Sequence, residues 1–184
     1  EMGQRGNVRC IVLAASGVAF CAGADLNWMR KAANYTQEEN MRDAGGLGNL
    51  LRLVATCPKP TIARVQGDTY AGGTGLVAAC DMAVAADAAH FCVSEVKIGL
   101  IPATISPYLI RAMGIRNAQR YWLTAERFSA EAALGMGLVS QVTSPEELDA
   151  AVDALCKALC SASPDAVRST KELIANVAGR EITP

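Results

Sequence analysis

The chain has 184 residues, 51% hydrophobic and 19% charged, with a net charge of −1 and a mean hydropathy of +0.20. Those values describe one soluble domain able to build a sizeable core. The charge balance and an aromatic content of 5% leave no electrostatic footprint for nucleic acid or a membrane surface. Seven cysteines without a CxxC pair argue against a secreted disulfide framework and for reduced cytosolic thiols that mostly fill the core. Cys156 and Cys160 share a helix face, yet two thiols without a neighbouring His make a poor metal site. Neither a signal peptide nor a membrane span is visible, because Asp81 and Asp87 interrupt the apolar stretch from Gly75 to Ala89, and a cytoplasmic location is expected. The start at Glu1 without an initiator Met suggests a fragment, or the ordered part of a longer chain.

In chain order, "VRCIVLAA" (Val8–Ala15) is a short branched apolar run, the pattern of a strand covered on both faces. A loop, "SGVAFCAGADL", follows. Thr36-x-x-Glu39 is a capping box, and Ala44, Leu47, Leu51 and Val54 then recur at helical spacing, on a helix weakened by Gly45, Gly46 and Gly48. "TIARVQG" is a second buried strand, "YAGGTGL" opens a short helix ending near Cys80, and "MAVAA" and "HFCV" are two further strands. Ser106-Pro107 reads as an N-cap with proline at the first helical position, in a helix closed by Gly114. Ser129 starts another short helix, "LVSQV" returns to the sheet, and Ser144-Pro145-x-Glu147 reads as a capping box before a stripe of Leu148, Val152, Leu155 and Leu159. Ser163-Pro164 begins a last helix that Gly179 can terminate. The alternation gives an α/β layer architecture.

The glycines of Thr69–Ala78 invite a dinucleotide reading, since Gly73-x-Gly75-x-x-Ala78 fits the relaxed fingerprint and Glu95 lies further on. That reading needs a full crossover helix before the next parallel strand, and only the segment from Gly72 to about Cys80 is available. The acid also follows the second strand after the glycines, not the first. A Walker lysine is missing as well. Two loops, "FCAGADL" and "YAGGTGL", instead share one property: each follows a buried strand and lets backbone approach a ligand closely. Two N–H groups converging from them would form an oxyanion hole, and Glu95 could bring a carboxylate to the same cavity.

The segments "AFCAGADL", "PTIARVQG", "YAGGTGLVAACDMAVAADAAHFCVSEVKIGLIP" and "LTAERFSAEAALGMGLVSQV" together resemble the enoyl-CoA hydratase/isomerase, or crotonase, superfamily, in order and spacing. The resemblance implies the α/β crotonase (ClpP/crotonase-like) fold, repeated ββα units with C-terminal helices. Residues 1–143 would be the spiral core and 144–184 the start of the helical region, with family segments missing at both ends. Ala24 and Gly72 fall on the two oxyanion-hole donors, and Glu95 on the second of the hydratases' two catalytic glutamates. The first glutamate falls on Gly75, so this chain departs from the pattern there. Ala22, Gly23, Asp25, Leu26, Tyr70, Gly73, Gly75 and Ser94 would line the substrate. "DLNWMR" and "SEVKIGLIPATISPYLIRAMG" look most like bacterial hydratases of branched, acidic acyl-CoA thioesters, of the methylglutaconyl-CoA and isohexenylglutaconyl-CoA types. No metal or resident cofactor is implied, coenzyme A arrives with the acyl-CoA substrate, and a homotrimer or a hexamer (a dimer of trimers) is expected.

The residues around these motifs read more plainly. His90, the single histidine, begins a strand and is structural; Asp25 is taken as a helix cap and Asp81 as a buried polar contact. Arg30 and Lys31 read as a solvated helix face in preference to contacts with coenzyme A phosphates or a substrate carboxylate, and Trp28 and Met29 are expected to pack, with the acyl chain as one candidate partner. The reading is therefore an enoyl-CoA hydratase-type hydro-lyase using Glu95. An enoyl-CoA isomerase with one carboxylate and a non-catalytic acyl-CoA-binding scaffold remain the alternatives.

Overall fold

The computed structural model describes residues 2–180. Its strands are β1 (Ile11–Ala14), β2 (Thr61–Val65), β3 (Thr69–Tyr70), β4 (Met82–Ala86), β5 (His90–Cys92), β6 (Phe128–Ser129) and β7 (Gln141–Thr143). Its helices are α1 (Leu26–Ala32), α2 (Gln37–Ala55), α3 (Gly72–Ala79), α4 (Ser106–Thr124), α5 (Ala130–Met136), α6 (Leu148–Ser161) and α7 (Pro164–Val177). A parallel sheet has the order β1-β2-β4-β7, and a smaller one the order β3-β5-β6 with β6 antiparallel. The units β2–β3–α3 and β4–β5–α4 repeat: in each, the first strand joins the large sheet, the second joins the small one, and a helix follows. That is the ββα repetition expected from the sequence.

β2 and β4 are branched and alanine-rich because both of their faces are covered. On one face Ile62 and Val84 meet Leu148 and Val152 of α6. On the other, Ala63, Val65, Ala83 and Ala85 join the main core with Leu51, Val77, Phe91 and Leu109. Each such Leu, Val or Phe contributes roughly 1.5–3 kcal/mol by leaving water. Phe91 stacks on Phe128 at 5.6 Å, and Tyr121 tilts against Phe128 at 4.5 Å, closing the small sheet on α4. Lys171 of α7 donates to Asp81, whose carboxylate also accepts from the Thr61 N–H and hydroxyl.

Four local expectations are corrected. β1 is an edge strand with alternating exposure, Val12 being 38% exposed, because the face that carries Leu13 packs on the main core while the face that carries Val12 is left open. Ser106 is not the N-cap of α4: Ile105 holds that position, while the Ser106 hydroxyl donates back to Ala103 O. Gly114 does not close the helix; at φ 75° it kinks α4, which resumes to Thr124. Ser144 and Glu147 form no capping box, because Ser144 belongs to a turn whose carbonyl accepts from Glu147 N–H, and α6 starts only at Leu148. The box at Thr36 and Glu39, the Ser129 and Ser163 caps and the Gly179 stop are all present. Among the described residues no helix is long and apolar enough to cross a membrane.

Candidate active site

Three segments run in the same direction across the small sheet. β3 pairs parallel with β5, and on the other side Cys21 bridges Thr69, also in parallel. Tyr70 N–H donates to Cys21 O at 2.8 Å, and Ala71 N–H donates to Cys92 O at 2.9 Å. The residues that follow therefore emerge side by side at one edge, at the spacing of neighbouring strands, about 5 Å. These are Ala22–Asp25 from the first segment, Ala71–Gly73 from the middle one, and Ser94–Glu95 from the third.

Gly73 permits the first of these approaches. A Cβ at Gly73 would lie 2.4 Å from Cys21 Cβ and 2.8 Å from its Sγ, so any side chain there would push the first loop off the start of α3. Gly72 opens α3, and its N–H makes no hydrogen bond among the described residues. Its direction is fixed by its neighbours. Ala71 O accepts from Thr74 N–H at 2.9 Å and from the Thr74 hydroxyl at 2.7 Å, so that carbonyl points into the helix. Across a trans peptide the N–H points the opposite way, out of the helix start. Ala71 sits at φ 48°, a strained conformation for a residue with a side chain, of the kind that persists where the surroundings over-determine it. Thr74, fully buried, is a residue the sequence reading missed; a hydroxyl two positions after an oxyanion candidate was the available signal.

Ala24 N–H is likewise free of partners among the described residues, and Ala24 is exposed. Asp25 caps α1 by accepting from Asn27 N–H at 2.8 Å and Trp28 N–H at 2.9 Å, so one of its carboxylate oxygens is committed to the helix. Ala22 is exposed, Gly23 takes φ 100°, and the Leu26 side chain lies outside the described residues. Gln66 donates to Gly17 O and Ala19 O, tethering the start of this loop to the sheet.

Glu95 begins a 3₁₀ turn over Glu95–Ile98, immediately after Ser94. Its Oε2 is buried and makes no hydrogen bond among the described residues. Burial raises its carboxyl above the ordinary value, only partly offset by its own backbone N–H. A carboxyl with one unengaged buried oxygen and raised proton affinity is suited to exchanging a proton with something placed against it. The Ser94 hydroxyl has no hydrogen bond among the described residues, whereas Tyr70 points its hydroxyl to Asp68 at 2.7 Å.

Gly75 lies on the buried side of α3. A Cβ there would fall 2.2 Å from Ile105 Cγ2 and 2.7 Å from Ile105 Cβ. Ile105, 2% exposed, thus occupies the space a side chain at position 75 would need, and nothing in the sequence pointed to that pairing. His90 contacts Ala88 O and Asp68, in keeping with a structural role. Arg30 is exposed and bonds Asn27, Lys31 is exposed, and Trp28 donates to Asp43. A groove of about 700 Å³ along β1 and α2, lined by Ile11, Leu13, Leu50, Leu53, Cys57 and Cys80, contains none of the site residues.

The comparisons show which family this fold belongs to. The sequence matches the enoyl-CoA hydratase/isomerase family over residues 2–182. It is 38% identical over 172 residues to a protein of Thermus thermophilus assigned as an enoyl-CoA hydratase, covering 94% of this chain and 68% of that one. It is 37% identical to the enoyl-CoA hydratase AKT6-1 of Alternaria alternata, covering 91% of this chain, which spans 54% of that relative's length. The crystal structure of an enoyl-CoA hydratase from Shewanella pealeana superimposes with a TM-score of 0.95 at 44% identity, over 99% of this chain and 68% of that one. The match over residues 2–182 and the superposition on a ββα core of the same architecture identify the chain as a member of the enoyl-CoA hydratase/isomerase family with the crotonase fold.

Proposed function

We propose that this chain carries the catalytic core of a hydratase acting on an α,β-unsaturated acyl-CoA thioester. The observation that supports it best is the shared edge: Ala24 N–H, Gly72 N–H and the unengaged Glu95 oxygen arise from three adjacent parallel segments. The thioester carbonyl accepts from both N–H groups. Glu95 takes a proton from water as the water oxygen bonds to the β-carbon, the double-bond electrons move toward the carbonyl, and negative charge grows on the thioester oxygen. The donors hold that charge more strongly than the neutral carbonyl, which is what lowers the barrier. Glu95 then returns its proton to the α-carbon, so water is added across the double bond with no net change in the enzyme. Coenzyme A takes part as a portion of the substrate, and Ala22, Gly23, Asp25, Leu26, Tyr70, Gly73 and Ser94 belong to the segments that would surround it.

The acyl group we assign is branched with a distal carboxylate, of the 3-methylglutaconyl type, on the likeness of "DLNWMR" to such hydratases. The working assembly is a trimer or a pair of trimers; Ile110, Ile115 and Leu123 of α4 leave apolar surface uncovered in the single chain. A second reading has a specific observation behind it. With the space at position 75 taken by Ile105 and Asp25 engaged in capping α1, Glu95 is the single carboxylate at this edge given a proton-transfer role, and one carboxylate suffices for an isomerase that moves a proton between two carbons. Incubation with α,β- and β,γ-unsaturated acyl-CoAs, followed by mass detection, separates the cases. A gain of one water supports hydration, double-bond movement at constant mass supports isomerisation, and binding without turnover supports a scaffold.

A further inference from the structure

The three segments that meet at the site converge on a residue outside it. The Asp68 carbonyl accepts from Phe20 N–H at 3.1 Å and Cys21 N–H at 3.2 Å, holding the first loop. The Asp68 carboxylate accepts from the Tyr70 hydroxyl at 2.7 Å, from Arg127 at 2.9 Å and from His90 N–H at 3.2 Å. Those partners sit on β3, just before β6 and at the start of β5. Arg127 also lies over the Tyr70 ring, 5.7 Å from its centroid. Burial by itself would raise the Asp68 carboxyl, but the Tyr70 hydroxyl, the Arg127 charge and the His90 N–H outweigh it and hold the group below the usual carboxylate range. The side chain is thus an ionised anchor with three donors, and the same residue's carbonyl carries two more.

We propose that Asp68 is a positioning residue for the oxyanion site. By fixing its carboxylate on β3, β5 and Arg127, it sets the direction of the carbonyl that docks the Ala24 loop beside Gly72. Any residue supplies a backbone carbonyl at this position, but the anchored side chain determines where the carbonyl points. Loss of the anchor leaves both N–H donors in the chain while loosening their spacing, and loss of fine alignment costs rate steeply. Asp68 touches no reacting atom in this account, and it acts through Cys21 and Tyr70.

The inference rests on the hydratase reading, and a spectroscopic probe keeps the two apart. A conjugated 2,4-dienoyl-CoA bound in an oxyanion hole has its carbonyl polarised, which shifts its absorption to longer wavelength without turnover. The wild type is expected to show that shift, and Asp68→Asn to lose a large part of it at saturating probe. The kcat of the variant should fall on the order of 10-fold with KM little changed. A residue that served stability alone would lower the melting temperature and leave the shift of the folded, bound protein intact. A full wild-type shift in Asp68→Asn therefore overturns the role of Asp68 and spares the oxyanion reading. No shift in the wild type overturns that reading, and this inference with it. Should Asp68→Asn fail to fold, Arg127→Gln removes one partner of the same carboxylate from a half-exposed position. It should reduce the shift in part, while Arg127→Lys, which keeps the cation, should restore it; equal shifts in all three proteins overturn the proposal.

Discussion

The start of α3 and the loop entering α1 each offer one free N–H, but they are built from opposite materials. Gly73, Thr74 and Gly75 are buried, and Thr74, Cys21 and Ile105 press on this turn from three sides. Ala22, Ala24 and Asp25 are exposed, and their segment is held by the bonds of Phe20 and Cys21 behind it and by the Asp25 cap ahead. One donor is therefore fixed by the core, the other by a few hydrogen bonds on a surface loop. Local stability follows the density of buried contacts, so the Ala24 side is expected to be the less stable side of the candidate site.

The largest test of this contrast deletes each donor in turn. Gly72→Pro and Ala24→Pro should each cost about 10²–10³-fold in kcat, the usual loss for one oxyanion donor. Their melting temperatures should differ. Proline is tolerated at the first position of a helix, but the residue before a proline is held to extended backbone, and Ala71 sits at φ 48° and ψ −123°, so the Gly72 variant should melt lower. An Ala24 variant with normal turnover would remove the surface loop from the mechanism.

Gly75→Ala tests the packed side. The added methyl must displace Ile105, an overpacking that costs about 1–3 kcal/mol. For a chain of this size each kcal/mol moves the melting temperature by about 2–4 °C. Ile105→Ala removes the nearest clashing methyl, so thermal melts of the double variant should show a loss smaller than the sum of the two singles. Strict additivity would contradict the interlock.

Glu95→Gln should alter stability in a pH-dependent way. Burial raises the folded-state proton affinity of Glu95, so the favourable protonated form is fully present below the ordinary value of 4.5 and is lost as pH rises through the raised one. Above that raised value the wild type carries a partly buried charge that glutamine lacks. The variant should therefore melt higher than the wild type at pH 8, with the difference vanishing at acid pH. A variant less stable at pH 8 would contradict the sign. The smallest effect is expected on α2, where a Cβ at Gly45 meets nothing within 4 Å. Gly45→Ala should stabilise by about 0.5–1 kcal/mol through helix propensity alone, and a destabilised variant would mean that this face has a packing partner.

Much of this architecture was legible in the residues. Short apolar runs located β2, β4 and β5, the Thr36 and Ser163 caps set their helices, and the two glycine-bearing loops pointed to backbone donors. The departures have local causes. β1 carries the apolar content of a strand covered on both faces, but only one of its faces is covered, and that coverage depends on elements far away in the chain. Gly114 is as well suited to a kink as to a stop, and only packing of the following Ala118 and Tyr121 selects the kink. At the site, residue types told where N–H groups and a carboxylate could be. They did not tell what orients them: Thr74 behind Gly72 is a local contact whose signal was present but not used, whereas Ile105 in the space of Gly75 and the Asp68 bonds to Phe20, His90 and Arg127 join segments distant in the chain.

The central claim is that Glu95 does the proton work alone, at an edge where the other carboxylate, Asp25, caps α1. The most direct test compares kcat of Glu95→Gln with wild type on the acyl-CoA that wild type hydrates, in protein shown to be folded and in the same oligomeric state. The account predicts a loss of about 10²–10⁴-fold in kcat, the usual worth of a general acid–base group, with KM changed little because the backbone donors remain. Turnover within a few-fold of wild type would contradict it.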